Sequence, residues 1–448
     1  MFQAGCGGVI LFWILDWRFW IGEVKEFVLG IEQIQVKQMQ KIMFYCQYLT
    51  GMGHLVRSTE IVRSLAKHFQ VYFINGGPPI DGFEVPSEVE LISLPALWLE
   101  DGKFEIPAGY ASVEIVKDCR KTLLLEAFDR VQPDCLITEF FPFGRHKLFF
   151  ELLPLLQQIK STAPATKIAC SLRDVIGRAT LAEEADMICE LVNSYFDLIL
   201  FHADAEFQCF AESFPRYEEL NCDIKYTGFV AQSATGQKTT EDEQFLAKID
   251  EDNPLILVTV GGGRLGYELL EAVIAASSSL ERHIPHRWQL FTGPFLPEDQ
   301  FLRLQQMAVG RRNINLRRFT PQLLDYMEKA SLSISLTGYN TTMNILKTGV
   351  RSLVVPIGHY DQDREQLVRT RKLAEMGVVE VLDLQELEPN ALVKRILASL
   401  KKAPADNVAK RFDLEGAQKT ATELQAFLTD PATRSLSSSF PSRVSVSD

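Results

Sequence analysis

One histidine stands at a corner of the chain where its residue type suits acid–base chemistry. His54 follows Gly51 and Gly53 in the segment YCQYLTGMGHLVRS, between an apolar run and the start of helical spacing. An imidazole has an unperturbed pKa of about 6.5, so it can accept a proton from a hydroxyl group near neutral pH. Two glycines let the backbone approach a ligand closely, although a strand-to-helix corner can also be purely architectural. We expect His54 to act as a base or as a hydrogen-bond donor.

Charged residues follow two further apolar runs. Glu139 and Arg145 lie in EFFPFGRHK, and Arg173 and Asp174 lie in CSLRDVIGR. Each pair can be a structural ion pair, which is the commoner reason for such residues. Their shared position at the ends of predicted strands favours a place in a ligand-binding cleft. Glu139 and Asp174 are therefore alternatives to the histidine as the catalytic base.

A run of three glycines lies between a predicted strand and a predicted helix. The segment TVGGGRLGYELL contains Gly261, Gly262, Gly263 and Arg264. The spacing is neither GxGxxG nor a Walker loop, so it does not favour a nicotinamide or P-loop site. Glycine permits positive φ and close approach to a phosphate or sugar. We expect a ligand contact here, with a tight strand-to-helix turn as the alternative.

A second strand-to-helix turn occurs in SISLTGYNTTMNILKTG. Gly338 follows the strand, Asn340 is a good N-cap, and Thr341 and Thr342 open the helix. The first turn of a helix presents free N–H groups and a partial positive charge, which can hold a pyrophosphate without a metal. Ordinary capping is the alternative, and it would need the asparagine alone.

The segment PIGHYDQDREQLVRTRKL places polar residues at the start of another helix. Glu365 and Gln366 are positioned to hydrogen-bond vicinal hydroxyl groups such as those of a ribose. Arg369 and Arg371 are better explained as a solvated helix face. The DQD triplet at 361–363 imitates a metal motif, but we interpret it as a polar loop, and we expect no metal and no cofactor.

The elements that must position these residues are short apolar strands alternating with helices. In the first half the predicted strands are 41–47, 71–75, 89–94, 134–138, 166–172 and 197–201, and in the second half they are 254–260, 287–293, 314–319, 331–336 and 352–357. This alternation predicts an α/β protein with mostly parallel sheets and helices on both faces. Ligands of such sheets bind at the carboxyl ends of the strands.

The pattern breaks near residue 228, in a polar segment typical of a linker. We therefore predict an N-terminal extension over 1–38, Rossmann-like domains over 39–228 and 229–430, and a disordered, serine-rich tail over 431–448. The extension holds three of the five tryptophans. It is explained either by a true translation start at Met39 or Met43 or by an anchor at a membrane interface.

Composition limits the class of protein. The chain has 448 residues and a formal net charge of -12, which argues against non-specific nucleic-acid binding. Eight cysteines are scattered without metal-binding spacing. We interpret them as reduced thiols of a cytoplasmic protein.

Taken together, GMGHLVRS, GGGR and GYNTT…DREQ resemble the GT-B glycosyltransferases, and most closely family 28. There is a closer likeness still to a group of predicted bacterial glycosyltransferases, in the segments YCQYLTGMGHLVRS, ITEFFPFGRHKLFFELLPLL, SLRD and GYNTT. The likeness covers roughly residues 41 to 400, with the motifs in the right order. It implies a GT-B fold, in which two Rossmann-like doubly wound domains face each other across a cleft. It also implies that the C-terminal domain binds a nucleotide-sugar donor and the N-terminal domain binds the acceptor.

The resemblance also implies roles for individual residues. The backbone from Gly338 through Tyr339 to Thr342 would hold the donor diphosphate, and Glu365 with Gln366 would contact the donor. Phe319 and Thr320 would lie beside the nucleobase of the donor. The loop with Gly51, Gly53, His54 and Arg57 would face the acceptor, together with Arg145 and Arg173. Asn344 is a departure, because the family usually has a ribose-binding carboxylate at that position.

The predicted activity is inverting, metal-independent transfer of a hexosyl group from a nucleotide-diphosphate sugar, with a UDP-sugar as the expected donor, to an acceptor hydroxyl. A nucleotide-sugar hydrolase shares the GxGHxxR loop, and an epimerase shares the architecture. A non-catalytic nucleotide-sugar binder is the alternative outside enzymes, and Asn344 favours it. A lipid-linked acceptor would place the protein at the inner face of the plasma membrane.

Overall fold

The computed structural model describes residues 39–80, 83–176, 182–234, 239–250, 253–356, 364–402 and 408–430. The predicted N-terminal extension, the predicted tail and the DQD triplet lie outside these residues.

The first half of the described chain is built on a seven-stranded parallel sheet in the order β3-β2-β1-β6-β7-β8-β9. Strand β1 reads KIMFYC and is buried almost throughout, as is usual for a parallel strand covered on both faces. The strands are β1 (Lys41–Cys46), β2 (Gln70–Asn75), β3 (Glu90–Ser93), β4 (Trp98–Glu100), β5 (Lys103–Glu105), β6 (Cys135–Glu139), β7 (Lys167–Arg173), β8 (Leu198–His202) and β9 (Asp223–Tyr226). The helices are α1 (Gly53–Leu65), α2 (Val113–Val131), α3 (Phe149–Thr162), α4 (Ala182–Tyr195) and α5 (Phe210–Ser213).

The second half has a six-stranded parallel sheet in the order β12-β11-β10-β13-β14-β15. Its strands are β10 (Leu255–Thr259), β11 (Arg287–Phe291), β12 (Ile314–Arg317), β13 (Ala330–Leu336), β14 (Ser352–Val355) and β15 (Glu380–Val381). The helices that follow the linker are α6 (Thr240–Leu246), α7 (Tyr267–Glu281), α8 (Glu298–Ala308), α9 (Leu323–Lys329), α10 (Tyr339–Thr348), α11 (Arg364–Glu375), α12 (Pro389–Leu400) and α13 (Gly416–Thr429). The predicted α/β class with two doubly wound sheets is confirmed.

Each sheet has one point at which the chain reverses the direction in which it adds strands. In the first sheet β1 lies between β2 and β6, and in the second sheet β10 lies between β11 and β13. The loops that follow these central strands diverge at their carboxyl ends and leave a crevice for a ligand. The loop after β1 leads to His54, and the loop after β13 carries Gly338.

The last helix crosses back to the first half. Helix α13 packs against α1 through an apolar cluster that unites Ala421, Leu424 and Phe427 with Ile61 and Val62. The division predicted at residue 228 counts α13 with the second half because it follows that half in sequence. In the structure α13 packs on α1 of the first half, so this helix joins the two halves in addition to the linker.

Some elements gave no usable sequence signal. Strands β9 and β15 are short, with four and two residues, and β4 pairs with β5 in an antiparallel hairpin outside the main sheet. Such short segments carry too few residues to show a period.

The seven cysteines in the described ranges are free thiols. No helix in those ranges combines the length and apolar composition needed to cross a bilayer.

Candidate active site

His54 and Glu139 form a hydrogen-bonded pair at the switch point of the first sheet. His54 is the second residue of α1, and Glu139 is the last residue of the adjacent strand β6. The distance between His54 Nδ1 and Glu139 Oε1 is 2.5 Å. The carboxylate is fully buried, whereas the imidazole side chain keeps 16% of its surface exposed. The structure therefore brings together the predicted base and one predicted carboxylate, and only the imidazole reaches solvent.

The environment sets the protonation state of this pair. Burial lowers the pKa of His54 to about 3, the positive charge of Arg145 acts in the same direction, and Glu139 opposes both. Burial alone would raise the pKa of Glu139. The electrostatic interaction and the hydrogen bond with His54, followed by the charges of Arg57 and Arg145, outweigh it and lower that pKa to about 2. Near neutral pH a neutral imidazole thus faces a carboxylate, which only accepts hydrogen bonds. Nδ1 must carry the proton, and Nε2 keeps a free lone pair.

Two arginines complete the surroundings of Glu139. The buried Arg57, one turn along α1, donates a hydrogen bond from Nη2 to Glu139 Oε1. Arg145 Nε lies 3.8 Å from the other carboxylate oxygen, beyond hydrogen-bond distance. Glu139 is therefore held as a charged group by its neighbours and orients the imidazole.

Asp174 does not have the position of a general base. It follows β7, is fully buried, and accepts hydrogen bonds of 2.7 and 2.8 Å from Arg369 Nε and Nη2. Both carboxylate oxygens are thereby used by a guanidinium of helix α11. The prediction of a solvated Arg369 was wrong, because a carboxylate 195 residues away in sequence pairs with it in the interior. Arg371 is exposed, as predicted.

The carboxylate at the start of helix α11 also pairs across the halves. Glu365 forms an ion pair with Arg173, the last residue of β7, and is buried. Gln366 accepts a hydrogen bond of 3.3 Å from the hydroxyl of Thr337. The predicted hydroxyl-binding role of Glu365 would require a ligand to share it with Arg173 or to displace Arg173.

Helix α10 begins two residues earlier than the capping pattern predicted. Its N-cap is Gly338, and Asn340 lies inside the first turn and donates from Nδ2 to Gly53 O at 3.0 Å. The asparagine therefore joins the two halves and does not cap the helix. A β-carbon at Gly338 would meet no atom of the described residues within 4 Å, so none of them fills the space at this end of α10. An anion can occupy that space beside the N–H groups of the first turn.

The other residues of this turn are buried. Thr341 and Thr342 are both buried, and Thr342 hydrogen-bonds through its hydroxyl to Gly338 O at 3.0 Å. Tyr339 Oη accepts a hydrogen bond of 3.0 Å from the backbone N–H of residue 230. The guanidinium carbons of Arg57 and Arg369 lie 5.5 and 5.2 Å from the Tyr339 ring centroid. Tyr339 is thus a packing link between the halves and lies behind the free helix end.

The glycine run after β10 faces the loop that leads to the histidine. A β-carbon at Gly262 would lie 3.8 Å from Gly51 Cα. One at Gly261, which has a φ of 67°, would meet nothing within 4 Å in the described ranges. Gly263 packs on the backbone after β11, where a side chain would collide with Thr292 O. Gly261 and Gly262 border the space between the halves, and Gly263 serves the tight turn.

Arg264 lies at the rim of the same space. Its Nη1 donates to Glu100 Oε1 of the β4–β5 hairpin at 3.5 Å, and its guanidinium carbon is 5.4 Å from the Phe295 ring centroid. This cross-half contact is partly exposed to solvent. The Arg264–Glu100 pair therefore borders one side of the space as a surface contact.

Phe319 and Thr320, which are predicted to lie beside the nucleobase of the donor, differ in environment. Phe319 is partly exposed, whereas Thr320 is buried and donates from its hydroxyl to Asp242 at 3.2 Å. Asp242 also accepts hydrogen bonds from Tyr326 and Arg317. The Thr320 side chain is part of this structural network, which leaves Phe319 as the side chain of the pair that can reach a ligand.

Asn344 is fully buried and donates from Nδ2 to Gln232 Oε1 at 2.6 Å. Its Oδ1 has no hydrogen-bond partner among the described residues. In this conformation the linker glutamine occupies the position that the resemblance assigned to a ribose hydroxyl. A direct ribose contact by Asn344 would require the linker to move.

Some of the predicted site residues border the space between the sheets, whereas the side chains of Asp174, Thr320 and Asn344 are engaged in structural contacts. No group of three or more His, Cys, Asp or Glu side chains in the described ranges is arranged to hold a metal ion. Two residues of the first half contact these helices: Arg57 lies against the Tyr339 ring of α10, and Arg173 pairs with Glu365 of α11. The other first-half residues joined to them are His54, Glu139 and Arg145.

Sequence reasoning missed three residues that join the halves around this space. Arg369 was assigned to a solvated face, and neither Gln232 nor Val230 was singled out. Val230 donates its backbone N–H to Tyr339 Oη, and Gln232 accepts from Asn344. None of the three lies in a recognisable motif, so no local signal could have found them.

Comparison with known proteins agrees with this arrangement. A structure of CalG4, the calicheamicin glycosyltransferase, matches with a TM-score of 0.58 at 15% identity and covers 89% of this chain and 100% of that chain. MurG from Acinetobacter baumannii matches with a TM-score of 0.51 at 13% identity, over 86% of this chain and 99% of that chain. The fold is therefore the GT-B fold.

Residues 255–424 match the glycosyltransferase family 28 C-terminal domain. The chain is thus a GT-B protein whose second half is a family 28 C-terminal domain. The NDP-glycosyltransferase YjiC of Bacillus subtilis (strain 168) is 29% identical over 125 residues, which is 27% of this chain. The match spans 30% of the length of that relative.

Proposed function

We propose that the protein is a glycosyltransferase that uses a nucleoside diphosphate sugar and transfers the sugar to an acceptor hydroxyl with inversion. The observation that carries the proposal is the partly exposed His54 held by the buried Glu139, together with the nearby N-terminus of α10, which no described residue covers at Gly338. One half thus supplies a base and the other supplies a site for an anionic leaving group. The family 28 domain and the resemblance to YjiC support a nucleotide-sugar donor.

The base in this mechanism is His54 Nε2. It takes the proton of the acceptor hydroxyl while the oxygen attacks the anomeric carbon from the face opposite the diphosphate. Glu139 fixes the ring through Nδ1 and stabilises the imidazolium that forms, so it is a positioning residue. Asp174 has no part in the proton transfer, since Arg369 holds both of its oxygens.

The leaving diphosphate is stabilised at the N-terminus of α10. Free N–H groups and the helix dipole favour the negative charge that develops as the glycosidic bond breaks. Gly261, beside the same space, permits close backbone approach to the donor. The proposed transfer needs no metal ion, and EDTA should leave its rate unchanged. We further propose a hexosyl donor linked to UDP, in keeping with the resemblance to family 28.

A two-stage experiment tests this function. Thermal shift across UDP, GDP and TDP first identifies the bound nucleotide, because a ligand of the folded state raises Tm. A panel of labelled sugars on that nucleotide is then incubated with acceptor extracts and analysed by mass spectrometry. A labelled glycoside on a second molecule supports transfer. Free sugar alone would indicate a hydrolase, and an altered nucleotide sugar would indicate an epimerase.

A non-catalytic nucleotide-sugar binder is the second candidate, and one observation favours it. Asn344 occupies a position where family 28, which this chain resembles, usually has a carboxylate. Its side chain donates a hydrogen bond to Gln232 and does not line the space between the halves. Nucleotide-sugar binding in calorimetry with no product of any kind would support this candidate. His54→Ala would then leave every measured property except stability unchanged.

A further inference from the structure

Arg145 has hydrogen-bonding capacity that the described residues do not use. It follows β6 in a loop and adopts a φ of 67°, a left-handed conformation that is uncommon for a residue with a side chain. Its side chain is 13% exposed. The buried Nε and Nη2 atoms have no hydrogen-bond partner among the described residues. Nε has the Glu139 carboxylate 3.8 Å away. Because buried donors are normally paired, it is Nη2 that indicates a missing acceptor.

The charges around Arg145 do not balance. The described cluster contains four arginines and three carboxylates: Arg57, Arg145, Arg173, Arg369, Glu139, Asp174 and Glu365. Arg369 is matched with Asp174 and Arg173 with Glu365, so Arg57 and Arg145 share Glu139. Since His54 is neutral, one guanidinium charge has no carboxylate of its own among the residues that the structure describes. Burying such a charge is costly, and an anionic ligand would remove that cost.

The unmatched charge lies beside the proposed base. Glu139 contacts His54 Nδ1 at 2.5 Å through one oxygen and approaches Arg145 Nε at 3.8 Å through the other. The charges of Arg145 and Arg173 both lower the pKa of His54, as expected for groups that lie close to it. The guanidinium carbon of Arg173 is 5.0 Å from the ring centroid of Phe140, which also packs edge-on against His54. An anion at Arg145 would therefore lie close to the reacting hydroxyl.

We infer that the acceptor carries an anionic group, a carboxylate or a phosphate, close to the hydroxyl that reacts, and that Arg145 binds it. This inference rests on the proposed transfer and adds the chemical class of the acceptor. The assignment to the acceptor follows from location. Arg145 lies in the first half, in the loop after β6, whereas the N-terminus of α10 and Gly261 lie in the second half. Arg173, whose Nε also lacks a hydrogen-bond partner among the described residues, lies next to this group.

Titration of small anions into the nucleotide-saturated protein tests the inference. The donor diphosphate site is first filled with the nucleoside diphosphate that stabilises the protein best. Inorganic phosphate or acetate is then added at a few millimolar, against chloride at equal ionic strength, and Tm is followed. We expect a saturable rise of about 1 °C or more with phosphate or acetate and none with chloride. The anion with the larger effect identifies the phosphate or carboxylate class.

Variants assign this effect to Arg145. Arg145→Gln keeps a long polar side chain at this position but removes the charge, and it should abolish the rise. Arg145→Lys should retain part of it. Arg216→Gln is the matched control, because Arg216 pairs with Asp186 and Glu219 on the surface, and this variant should respond like the wild type.

Several outcomes would overturn the inference. A wild-type protein without an anion-specific rise would do so regardless of whether any variant folds. So would an Arg145→Gln protein that responds like the wild type. If Arg145→Gln loses nucleoside diphosphate binding, or loses binding of UDP-glucuronate but not of UDP-glucose, the anion belongs to the donor. Failure of every nucleoside diphosphate to bind would instead refute the proposed function, so the two failures are distinguishable.

Discussion

Asp174 and Arg369 form a buried, bidentate ion pair that joins the end of strand β7 to helix α11 of the other half. The pair is fully enclosed, and Arg369 also lies against the Tyr339 ring. A carboxylate held in this way is a structural connection between the two halves at the rim of the proposed active site. It contrasts with Glu139, whose partner His54 reaches solvent.

Removing one member of this pair should destabilise the protein strongly. Asp174→Asn leaves the Arg369 guanidinium buried without a carboxylate of its own, and we expect a loss of roughly 3–5 kcal/mol in the free energy of unfolding. Asp174→Asn combined with Arg369→Met should lose less than the sum of the single changes, because neither charge remains uncompensated. Denaturant unfolding of the four proteins gives the coupling. A folded double variant that binds nucleotide but transfers no sugar would show that the pair has a chemical role.

The base is tested by His54→Ala and His54→Gln. Loss of a general base lowers a rate by about 10²- to 10⁴-fold, and we expect kcat to fall within that range. Nucleoside diphosphate affinity should stay the same, because the histidine belongs to the acceptor side. Glu139→Gln should lower kcat and also Tm, since it leaves Arg57 buried without its carboxylate. Transfer by His54→Ala at a rate close to that of the wild type would exclude the histidine as the base.

Acid should weaken the folded state through His54. Its pKa is about 3 in the folded protein because of burial, against about 6.5 when unfolded, so the unfolded chain binds more protons between these values. Stability contributed by the neutral imidazole is complete above pH 6.5 and is lost as the pH falls toward 3. The pKa of Glu139 is also lowered, and its loss of stability adds below about pH 4.5.

Melting curves between about pH 7.5 and about pH 4.5 measure this effect. The wild-type Tm should fall more steeply than that of His54→Gln, which cannot titrate at this position. When kcat is measured against pH, its decrease on the acid side should likewise have no midpoint near 6.5, the ordinary pKa of the imidazole. Parallel Tm curves for the two proteins would contradict the depressed pKa.

The open end of α10 allows a test with one added methyl group. The methyl group of Gly338→Ala would meet no atom of the described part of the chain within 4 Å, and residue 338 has a φ of -60°, so the change should alter Tm little. If the donor diphosphate fills this space, the methyl group should weaken nucleoside diphosphate binding about tenfold or more in calorimetry, a change of roughly 1.4 kcal/mol. Gly51→Ala is the matched change, since it also has room but lies on the acceptor side. Equal affinities for the wild type and Gly338→Ala would place the diphosphate elsewhere.

Local patterns predicted the strands because a buried parallel strand is a short apolar run, as in β1 and β10, and they predicted the glycines and His54 because these follow such runs directly. Partnerships that depend on the tertiary fold left no local signal. Arg369 resembles a surface residue in sequence, and only the arrival of Asp174 from the first sheet explains its burial. Asn340 has the residue type of an N-cap, but Gly53 O takes its side-chain amide.

The return of α13 to the first half has a consequence for how the protein can be divided. A chain cut at the linker near residue 228 would leave Ile61 and Val62 without the apolar side chains of Ala421, Leu424 and Phe427 that cover them. The first half expressed alone would therefore expose a hydrophobic surface on α1, and we expect it to aggregate. Soluble production of that half would need the segment 408–430 to be supplied as a separate peptide or fused behind β9.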